Sequence, residues 1–568
     1  MKFILKILKS NWGIFFLLLI LIVANVIASI WHARIDLTNE KRFTLSKNTK
    51  TLLARLNQPV KITVLLKGNY PSGFKKLASS TEDILREFKE VAGNNIRYQF
   101  STSEDEFEDQ HTTYGDSLSS LGFYPINLTS QLKDGQQQQV IYPIALLQYE
   151  NRLLPIELYK GKTPLINFKE LNSAEALLEY NIASTIAKIM QVQKSTIGYA
   201  IGNGEPMDMS VYDLSENVLK PNYNVQLINI AQQPFINPAC EALLIVKPSL
   251  GFSEFEKLKI DQYVTHGGKV LFFLDRLSAE MDSLQIKNEV IAYDRNLNLN
   301  DLLFKYGVRI NANLLMDLQC DYLPFDINGN GQFEFLPWNY FPVLESPENH
   351  PINKNIGFVS GQFTNTIDTV EAEGVKKTII LQSSVNARSI STPALISGNE
   401  NVAAPEDEKY NLSNLPVAVL LEGKFKSLYA HRLTNEMNDS IQKSGMSYLA
   451  NCVATNKILV VADGDIVLNS VSKGNQPLAM GMNRYTAGSQ REFPFANKSF
   501  LLNALEFMVN DYGLSDAKSK EYTIQLLDTK KLEETRIIWQ MCNIILPILL
   551  VIIFALVFQW FRKRKHVI

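Results

Sequence analysis

The chain has 568 residues, of which 46% are hydrophobic, and 56 Lys and Arg nearly balance 58 Asp and Glu. This balance argues against a nucleic-acid-binding protein, because such proteins concentrate positive charge on one surface. The length favours two or more domains. The four cysteines have no zinc-site spacing; Cys240 and Cys452 could form a disulfide, or both could be free thiols.

The first predicted element is a membrane-spanning helix at residues 12–31, an uncharged run of mostly apolar residues. As a helix it would be roughly 29 Å long, about the thickness of the hydrocarbon core of a bilayer. Trp12 and Trp31 stand at its ends, where indole rings favour the membrane interface. A cleavable signal peptide is the alternative, because Val26-Ile27-Ala28 resembles a cleavage site.

A second uncharged run at residues 537–561 predicts a C-terminal membrane helix, with Trp539 and Trp560 near its ends. Positive charge marks the cytoplasmic side of a membrane protein. We therefore expect residues 1–11 and 562–568 in the cytoplasm and residues 32–536 in the periplasm, with both helices in a bacterial inner membrane. The basic residues that set this orientation are Lys2, Lys6, Lys9, Arg562, Lys563, Arg564 and Lys565. Without these seven, 49 basic residues face 58 acidic ones, a net charge of −9.

Residues 32–192 predict a periplasmic α/β domain, because stretches of period two alternate with stretches of helical periodicity. The predicted helices span 47–56, 79–91 and 170–190, and the predicted strands span 60–66, 96–100, 140–147 and 152–158.

Residues 193–514 predict a second α/β domain built on a doubly wound, parallel sheet, because apolar strands alternate with helical patterns. The pattern fades at about 276–450, which we interpret as an irregular insertion, and residues 515–536 form a polar stem. The predicted strands span 196–201, 224–230, 242–246, 269–274 and 458–462, and the predicted helices span 211–219, 253–264 and 499–509.

Polar residues follow several of these strands, at the edge of the sheet where α/β proteins bind ligands. Asn203 and Glu205 lie in the turn Gly202-Asn203-Gly204-Glu205, and Asp275 ends the strand at 269–274. These three residues are the candidates for binding a ligand or partner. Asp463-Gly464-Asp465 follows the last strand, and could hold a cation or form only a turn.

Motifs for catalysis and cofactors do not fit the sequence. The turn at 202–205 lacks the third glycine of a dinucleotide site and the Lys-Ser/Thr of a P-loop. Lys247-Pro248-Ser249 follows the apolar strand 242–246, where proline disfavours a nucleophile elbow, the strand-to-helix turn that carries a catalytic Ser or Cys. Asp326 opens an EF-hand-like stretch, but Pro337 stands where a bidentate Glu belongs. We therefore predict no catalytic residue, cofactor, bound nucleotide or metal.

Several segments resemble the ABC-transporter auxiliary proteins, and among them those associated with gliding motility in Bacteroidetes. The segments are DLTNEKRFTLSKNTKTLL at 36–53, GNGEP at 202–206, EALLIVKPSLGFSEFEKLKIDQYVTHGGKVLFFLD at 241–275 and LPWNYFP at 336–342. The resemblance implies an inner-membrane subunit that works with a separate permease and a cytoplasmic ATPase. It also implies a glutamine-amidotransferase-like second domain, related to protein-binding domains of intraflagellar transport. Asn203 replaces the histidine of the family's usual G-H-G-E turn, and the amidotransferase cysteine has no counterpart at 247–249.

The leading hypothesis from the sequence is a non-catalytic accessory subunit of an ABC transporter that binds a substrate or an envelope protein. One alternative is a membrane-tethered envelope hydrolase, which predicts clustered carboxylates or a Ser/His pair in a cleft. The other alternative is a structural scaffold of the envelope.

Overall fold

The computed structural model describes residues 44–159, 168–190, 194–509 and 529–565, together with residues 19, 22, 23, 25, 514 and 517. Gaps within these ranges fall at 69, 107–111, 121–124, 133–134, 282, 285–288, 327–329, 348–349, 355 and 399–406. The chain divides into two compact units, residues 1–520 and residues 521–568.

The N-terminal part of the first unit is a four-stranded sheet packed against helices, as its alternating pattern predicts. The elements are α1 (Lys47–Ala54), β1 (Val60–Val64), α2 (Ser72–Ala92), β2 (Ile96–Phe100), α3 (Tyr114–Ser120), β3 (Ile126–Leu132), β4 (Gly135–Ile141), β5 (Ile144–Tyr149), β6 (Arg152–Glu157) and α4 (Phe168–Met190). Strand order is β2-β1-β5-β6, with β1 and β2 parallel and the other neighbours antiparallel. Leu85 and Phe88 of α2 and Ile182 and Ile186 of α4 pack into one core with β1.

A seven-stranded sheet organises the rest of this unit. Its elements include β7 (Thr196–Ile201), β8 (Asn224–Asn229), β9 (Ala242–Val246), α5 (Glu254–Thr265), β10 (Lys269–Phe273), β11 (Leu277–Ser278), β12 (Glu289–Asp294), α6 (Asn300–Tyr306), β13 (Val308–Ile310), β14 (Asn313–Asp317), β15 (Cys320–Phe325), β16 (Glu334–Leu344), β17 (Val359–Ser360), β18 (Ile367–Thr369), β19 (Val375–Gln382), β20 (Ala387–Ser391), β21 (Ala394–Ser397), β22 (Pro416–Gly423), α7 (Asn435–Ser444), β23 (Asn456–Val461) and α8 (Asn497–Val509). The order is β19-β22-β23-β10-β9-β7-β8.

The five strands β8, β7, β9, β10 and β23 are parallel, as the sequence predicts. Both faces of this sheet are buried at β7, β9, β10 and β23, because alternate residues of these strands enter different cores. Leu243 and Ile245 pack in the core that contains α5, whereas Leu244 and Val246 pack in the core that contains α8. Helices on both faces make the sheet doubly wound.

The segment at 276–450, predicted as an irregular insertion, differs from that expectation. Its described residues form twelve strands, β11–β22, of which β22 and β19 extend the main sheet with antiparallel pairing. The others form small sheets, most of them around a core that includes Trp338, Tyr340 and Phe341. The sequence pattern does not predict these strands, because most of them are short. In addition, β16 contains Pro337 and Pro342, and proline weakens a strand pattern.

The cysteines are free in the structure, so the disulfide between Cys240 and Cys452 is not formed. Both residues are buried, and each thiol is directed at a backbone carbonyl: Cys240 Sγ lies 3.1 Å from the oxygen of Ala242, and Cys452 Sγ lies 3.3 Å from that of Val264. Both cysteines therefore pack in the core of the first unit as small apolar residues.

The second unit contains α9 (Thr529–Lys565), which includes Trp539, Trp560 and the basic residues Arg562, Lys563, Arg564 and Lys565. Its segment Gln540–Trp560 has 21 residues and a mean hydropathy of 2.9, long and apolar enough to cross a membrane. The helix begins before the predicted start at 537, so part of the predicted stem is helical. The predicted N-terminal span, with Trp12, Trp31, Lys2, Lys6 and Lys9, lies outside the described residues apart from 19, 22, 23 and 25, which are helical.

A lysine cluster at the carboxyl edge of the main sheet

The carboxyl ends of β7, β9, β10 and β23 meet at one edge of the sheet because these strands are parallel. The residues that follow β9, β10 and β23 are Lys247, Asp275 and Asp463-Gly464-Asp465. Four of these side chains belong to one charged group, which we call the lysine cluster: Lys247, Asp275, Glu280, Arg295, Asp463 and Asp465.

The Lys247 ammonium is the centre of the lysine cluster. Its Nζ lies 2.7 Å from both carboxylate oxygens of Asp465, 3.3 Å from Glu280 Oε2 and 3.5 Å from Asp275 Oδ2. The side chain of Lys247 is only 12% exposed. A charge this deeply buried requires several opposite charges around it, which the cluster supplies.

A second cation and backbone amides complete the cluster. Arg295 Nη2 lies 2.5 Å from Glu280 Oε1 and 3.8 Å from Asp275 Oδ2. The amide of Gly464 donates to Asp275 Oδ1 at 2.6 Å. Asp463, which is fully buried, accepts from the amides of Gln362 and Asp465 and from the Thr364 hydroxyl, at 2.8, 2.8 and 2.5 Å.

These surroundings shift the proton affinities of the cluster. Burial raises the pKa of Asp465 to about 6, with the Lys247 charge opposing the rise and Asp275 and Glu280 adding to it. Burial also raises the pKa of Asp463 well above its usual range, and the neighbouring Asp465 and Asp275 add to that rise. For Lys247, burial disfavours the ammonium, but Asp465, Asp275 and Glu280 outweigh burial and raise its pKa. Lys247 is therefore a permanent cation at this edge.

The backbone at Lys247 has an unusual conformation. Its φ is +44°, in the left-handed region, where residues other than glycine are uncommon. Such a conformation costs about 1–3 kcal/mol and needs surrounding contacts to hold it. Gly464 permits one of these contacts, since a Cβ there would lie 2.6 Å from Lys247 Cβ. The two strand ends therefore approach too closely for any side chain at 464.

Asn203 and Glu205 form a separate, closed turn. The amide of Asn203 donates to Glu205 Oε2 at 2.8 Å, and the carbonyl of Asn203 accepts from the amides of Ser249 and Leu250 at 3.0 and 2.8 Å. Gly204 has φ +78°, and a Cβ there would lie 2.0 Å from Ser249 Oγ. The glycine therefore lets the turn after β7 pack on the turn after β9.

Both predicted side chains in this turn are buried. Asn203 is 3% and Glu205 7% exposed, and burial raises the pKa of Glu205. Within the described chain, Asn203 Oδ1 and Glu205 Oε1 are buried oxygens without a hydrogen bond. These residues fill the position between β7 and β9 at which the strand order reverses, the usual ligand crevice of such sheets.

A cavity of about 400 Å³ lies beside this filled crevice. Lys247, Glu280 and Asp465 of the lysine cluster line it, and Asp208 and Arg484 contribute from other parts of the chain. The open space at the carboxyl edge therefore adjoins the lysine cluster, and Asn203 and Glu205 are not among the residues that line it.

The structure thus unites one predicted site residue, Asp275, with the charged strand ends, and it places Asn203 and Glu205 in the neighbouring turn. Sequence reasoning missed Glu280 and Arg295, which come from the segment after β10 and carry no motif. A signal for Lys247 was present: a lysine directly after a fully apolar strand requires a buried partner.

The acidic members of the cluster could also share a cation. Carboxylate oxygens of Asp275, Asp463 and Asp465 lie within 4.8 Å of one another. Oxygen ligands at such spacing suit Mg²⁺ or Ca²⁺. Lys247 already supplies a positive charge to Asp275 and Asp465, so a metal would have to compete with a covalently attached ammonium.

The fold and this edge define a large α/β protein with a charged cluster beside a small cavity and a candidate membrane helix at its C-terminal end. The model of a family described as an ABC-type uncharacterized transport system matches residues 194–504, more than half of the chain. The chain belongs to this family. A second family model, for a domain of unknown function, matches residues 39–148.

Three individual proteins are similar to the chain. An uncharacterized protein of Borreliella burgdorferi is 22% identical over 448 residues, covering 76% of this chain and 80% of that protein. The N-terminal domain of mmIFT52 has a TM-score of 0.30 at 13% identity, covering 56% of this chain and 98% of that structure. The exo-β-1,4-mannosidase Op5Man5 of an Opitutaceae bacterium has a TM-score of 0.19 at 10% identity, covering 75% and 52%.

Proposed function

We propose that this protein is a non-catalytic, membrane-anchored accessory subunit of an ABC transporter, of the kind represented by the gliding-motility component GldG of Bacteroidetes. Its body lies in the periplasm, where it binds a substrate or an envelope protein. A separate permease packs against its membrane helices, and a cytoplasmic ATPase supplies the energy.

Lys247 is the observation that carries the non-catalytic part of this proposal. It follows the central strand β9 in a left-handed conformation, which is the place and backbone geometry of a nucleophile elbow in α/β enzymes. An amidotransferase-like fold would carry its cysteine there. A lysine can act as a nucleophile only when its amine is neutral, and three carboxylates keep Lys247 charged. The residue therefore suits binding better than bond formation.

Family membership and the C-terminal helix support the transporter part. A protein of an ABC transport family with no nucleotide-binding motif needs ATP hydrolysis by another chain. Basic residues 562–565 after the apolar segment favour a cytoplasmic C-terminus. The membrane helix thus gives the subunit a direct route of contact with a permease.

Affinity purification from native membranes tests the proposal. The tagged chain, extracted in mild detergent, is expected to bring down one permease and one ATPase in constant proportion. A matched chain that lacks residues 529–565 is expected to lose the permease, since α9 provides the proposed contact. Recovery of the full chain alone under conditions that preserve other ABC complexes would contradict the proposal.

An envelope hydrolase is the second candidate, and Asp465 favours it. A carboxyl group with a pKa of about 6 beside a cavity resembles a general acid. Asp465 also contacts Lys247 with both oxygens at 2.7 Å, so its protonation would break that ion pair. Release of sugar or peptide fragments from cell-envelope material by the wild type, abolished in Asp465→Asn, would establish the hydrolase and overturn the first proposal.

A further inference from the structure

The closed turn after β7 contains two buried acceptors that lack a donor. Asn203 Oδ1 and Glu205 Oε1 are the two oxygens, and neither has a hydrogen bond within the described chain. Most buried polar atoms have a partner, because an unpaired atom loses its bonds to water and gains none in return. Two such atoms in one short turn therefore point to a property of the turn itself.

The donors around the turn serve other acceptors. The amide of Asn203 donates to Glu205 Oε2, and the amides of Ser249 and Leu250 donate to the carbonyl of Asn203. The Ser249 hydroxyl donates to the carbonyl of Gly204 at 3.2 Å. These bonds close the turn against the end of β9, but none of them reaches Oε1 of Glu205 or Oδ1 of Asn203.

A proton on Glu205 changes this arrangement. A carboxylic acid has one O–H donor, whereas a carboxylate has none. Protonation therefore gives the turn the kind of group that its two oxygens lack. It also removes a negative charge from a residue that is only 7% exposed, where an unpaired charge is strongly disfavoured. The closed turn thus suits the acid better than the carboxylate.

Burial and a neighbouring charge favour the same form. Burial is the main cause that raises the pKa of Glu205, and the charge of Glu256, in the first turn of α5, raises it further. The amides of Asn203 and Glu205 act in the opposite direction, but burial outweighs them.

The other titratable groups of these elements add no free positive charge. The Tyr199 hydroxyl of β7 donates to the carbonyl of Pro206 at 2.8 Å, and burial raises the pKa of Tyr199, so this group stays neutral. Hydrogen bonds lower the pKa of Asp208, in the same loop, and keep it negative. Lys247 follows β9, but its ammonium contacts the carboxylates of the lysine cluster.

We propose that the closed turn is a pH-dependent switch, closed when Glu205 is a carboxylic acid and open when Glu205 is a carboxylate. Gly202 and Gly204 have φ of +115° and +78°, and glycine at these positions allows the backbone to rearrange. Pro206 and Asp208, which follow the turn, line the adjoining cavity. Opening therefore connects the crevice between β7 and β9 with that cavity. The inference concerns this turn alone and goes beyond the proposed function.

Hydrogen exchange of the full chain in detergent, measured by mass spectrometry from pH 4 to pH 8, tests the inference. The amides of Ser249 and Leu250 report on the turn, because they donate to the Asn203 carbonyl when the turn is closed. A raised pKa gives stability that is present at low pH and is lost as the pH rises through that pKa. After correction for the intrinsic exchange rate, protection is therefore expected to fall about tenfold per pH unit in that interval.

Matched variants connect the pH dependence to Glu205. Glu205→Gln keeps the shape of the acid, has donors and cannot ionise, so protection at residues 249–250 is expected to stay high at every pH. Glu216→Gln is the control, because it removes a partly exposed carboxylate paired with Lys220, and it should behave as the wild type does.

Three results would each overturn the inference. The first is protection in the wild type that does not depend on pH, because the two oxygens would then have another donor, such as a bound water. The second is a pH dependence that persists in Glu205→Gln. The third is loss of protection in a folded Glu205→Gln protein at every pH. The wild-type series decides by itself if Glu205→Gln does not fold.

Discussion

The ammonium of Lys247 stabilises three acidic side chains that would otherwise repel one another at the sheet edge. Lys247→Met is expected to lower the free energy of unfolding by about 3–5 kcal/mol, because it leaves buried carboxylates without their cation. Chemical denaturation of the full chain measures this loss. Lys426→Met is the matched control: its partner Glu373 is exposed, and exposed pairs contribute at most about 1 kcal/mol.

The same variant exposes the latent cation site. In Lys247→Met, an added cation no longer competes with the Lys247 ammonium for the oxygens of Asp275, Asp463 and Asp465. Binding of Ca²⁺ or Mg²⁺ is therefore expected to raise the unfolding temperature of this variant. The wild type should respond little to either ion. An equal rise in both proteins would show that Lys247 does not occupy the place of a cation.

The raised pKa of Asp465 gives its contribution to stability a definite dependence on pH. The folded protein holds this proton more tightly than the unfolded chain does, so the contribution is present below pH 4 and is lost as the pH rises through about 6. The stability of the wild type relative to Asp465→Asn should therefore fall between pH 4 and pH 7, as measured by denaturation at each pH.

Asp208→Asn provides a comparison, because the contribution of Asp208 to stability is expected to depend on pH in the opposite direction. Its hydrogen bonds with Ser210 lower the pKa of Asp208, so its contribution is present at neutral pH and is lost on acidification. Parallel pH profiles for Asp465→Asn and Asp208→Asn would contradict the assignment of the raised pKa to Asp465.

At the scale of elements, α4 and α8 connect the two α/β parts of the first unit. The Tyr180 hydroxyl of α4 donates to Glu506 of α8, and Lys188 Nζ lies 3.8 Å from the other oxygen of that carboxylate. Burial and the nearby Glu506 raise the pKa of Tyr180 well above its usual value, so the hydroxyl remains a donor.

Removing that hydroxyl tests the connection. Tyr180→Phe is expected to cost about 1.5–3 kcal/mol, the usual value for a hydrogen bond to a charged group. Hydrogen exchange should become faster in α4 and α8 together. Tyr212→Phe is the control, because Tyr212 is exposed and such substitutions change stability by less than about 0.5 kcal/mol. Faster exchange confined to one helix would show that the bond does not couple the two parts.

The central strands were predictable because each is a short apolar run between turn residues. β7 and β9 have the predicted bounds: β9 is wholly apolar, and Thr196 of β7 stands only at its half-buried first position. The strands of the insertion were not predictable, because β16 contains two prolines and most of the others are short. Asp275 was found as a strand end, but Glu280 and Arg295, the other members of the lysine cluster that the sequence did not indicate, join it only through the tertiary fold. A sequence pattern locates elements better than it locates ion pairs between them.

At the scale of the whole molecule, membrane attachment rests on two predicted spans, of which the structure describes one. A chain of residues 1–528 lacks α9, and is expected to stay in the membrane fraction after carbonate extraction because the predicted helix at residues 12–31 would still anchor it. A chain of residues 32–528, exported with a cleavable signal, is expected in the soluble fraction. Release of residues 1–528 would show that the first helix is cleaved or does not span the membrane.

The pairing of β10 with β23 has a consequence for the order in which the protein is made. Val270 pairs with Ile458, so the parallel sheet cannot close until the whole insertion has been synthesised. During that interval β10 presents an unpaired edge, which can pair with other chains, and contacts so distant in sequence form slowly. A chain whose synthesis stalls between the two strands is therefore prone to aggregation, and its folding depends on how quickly residues 456–461 are made.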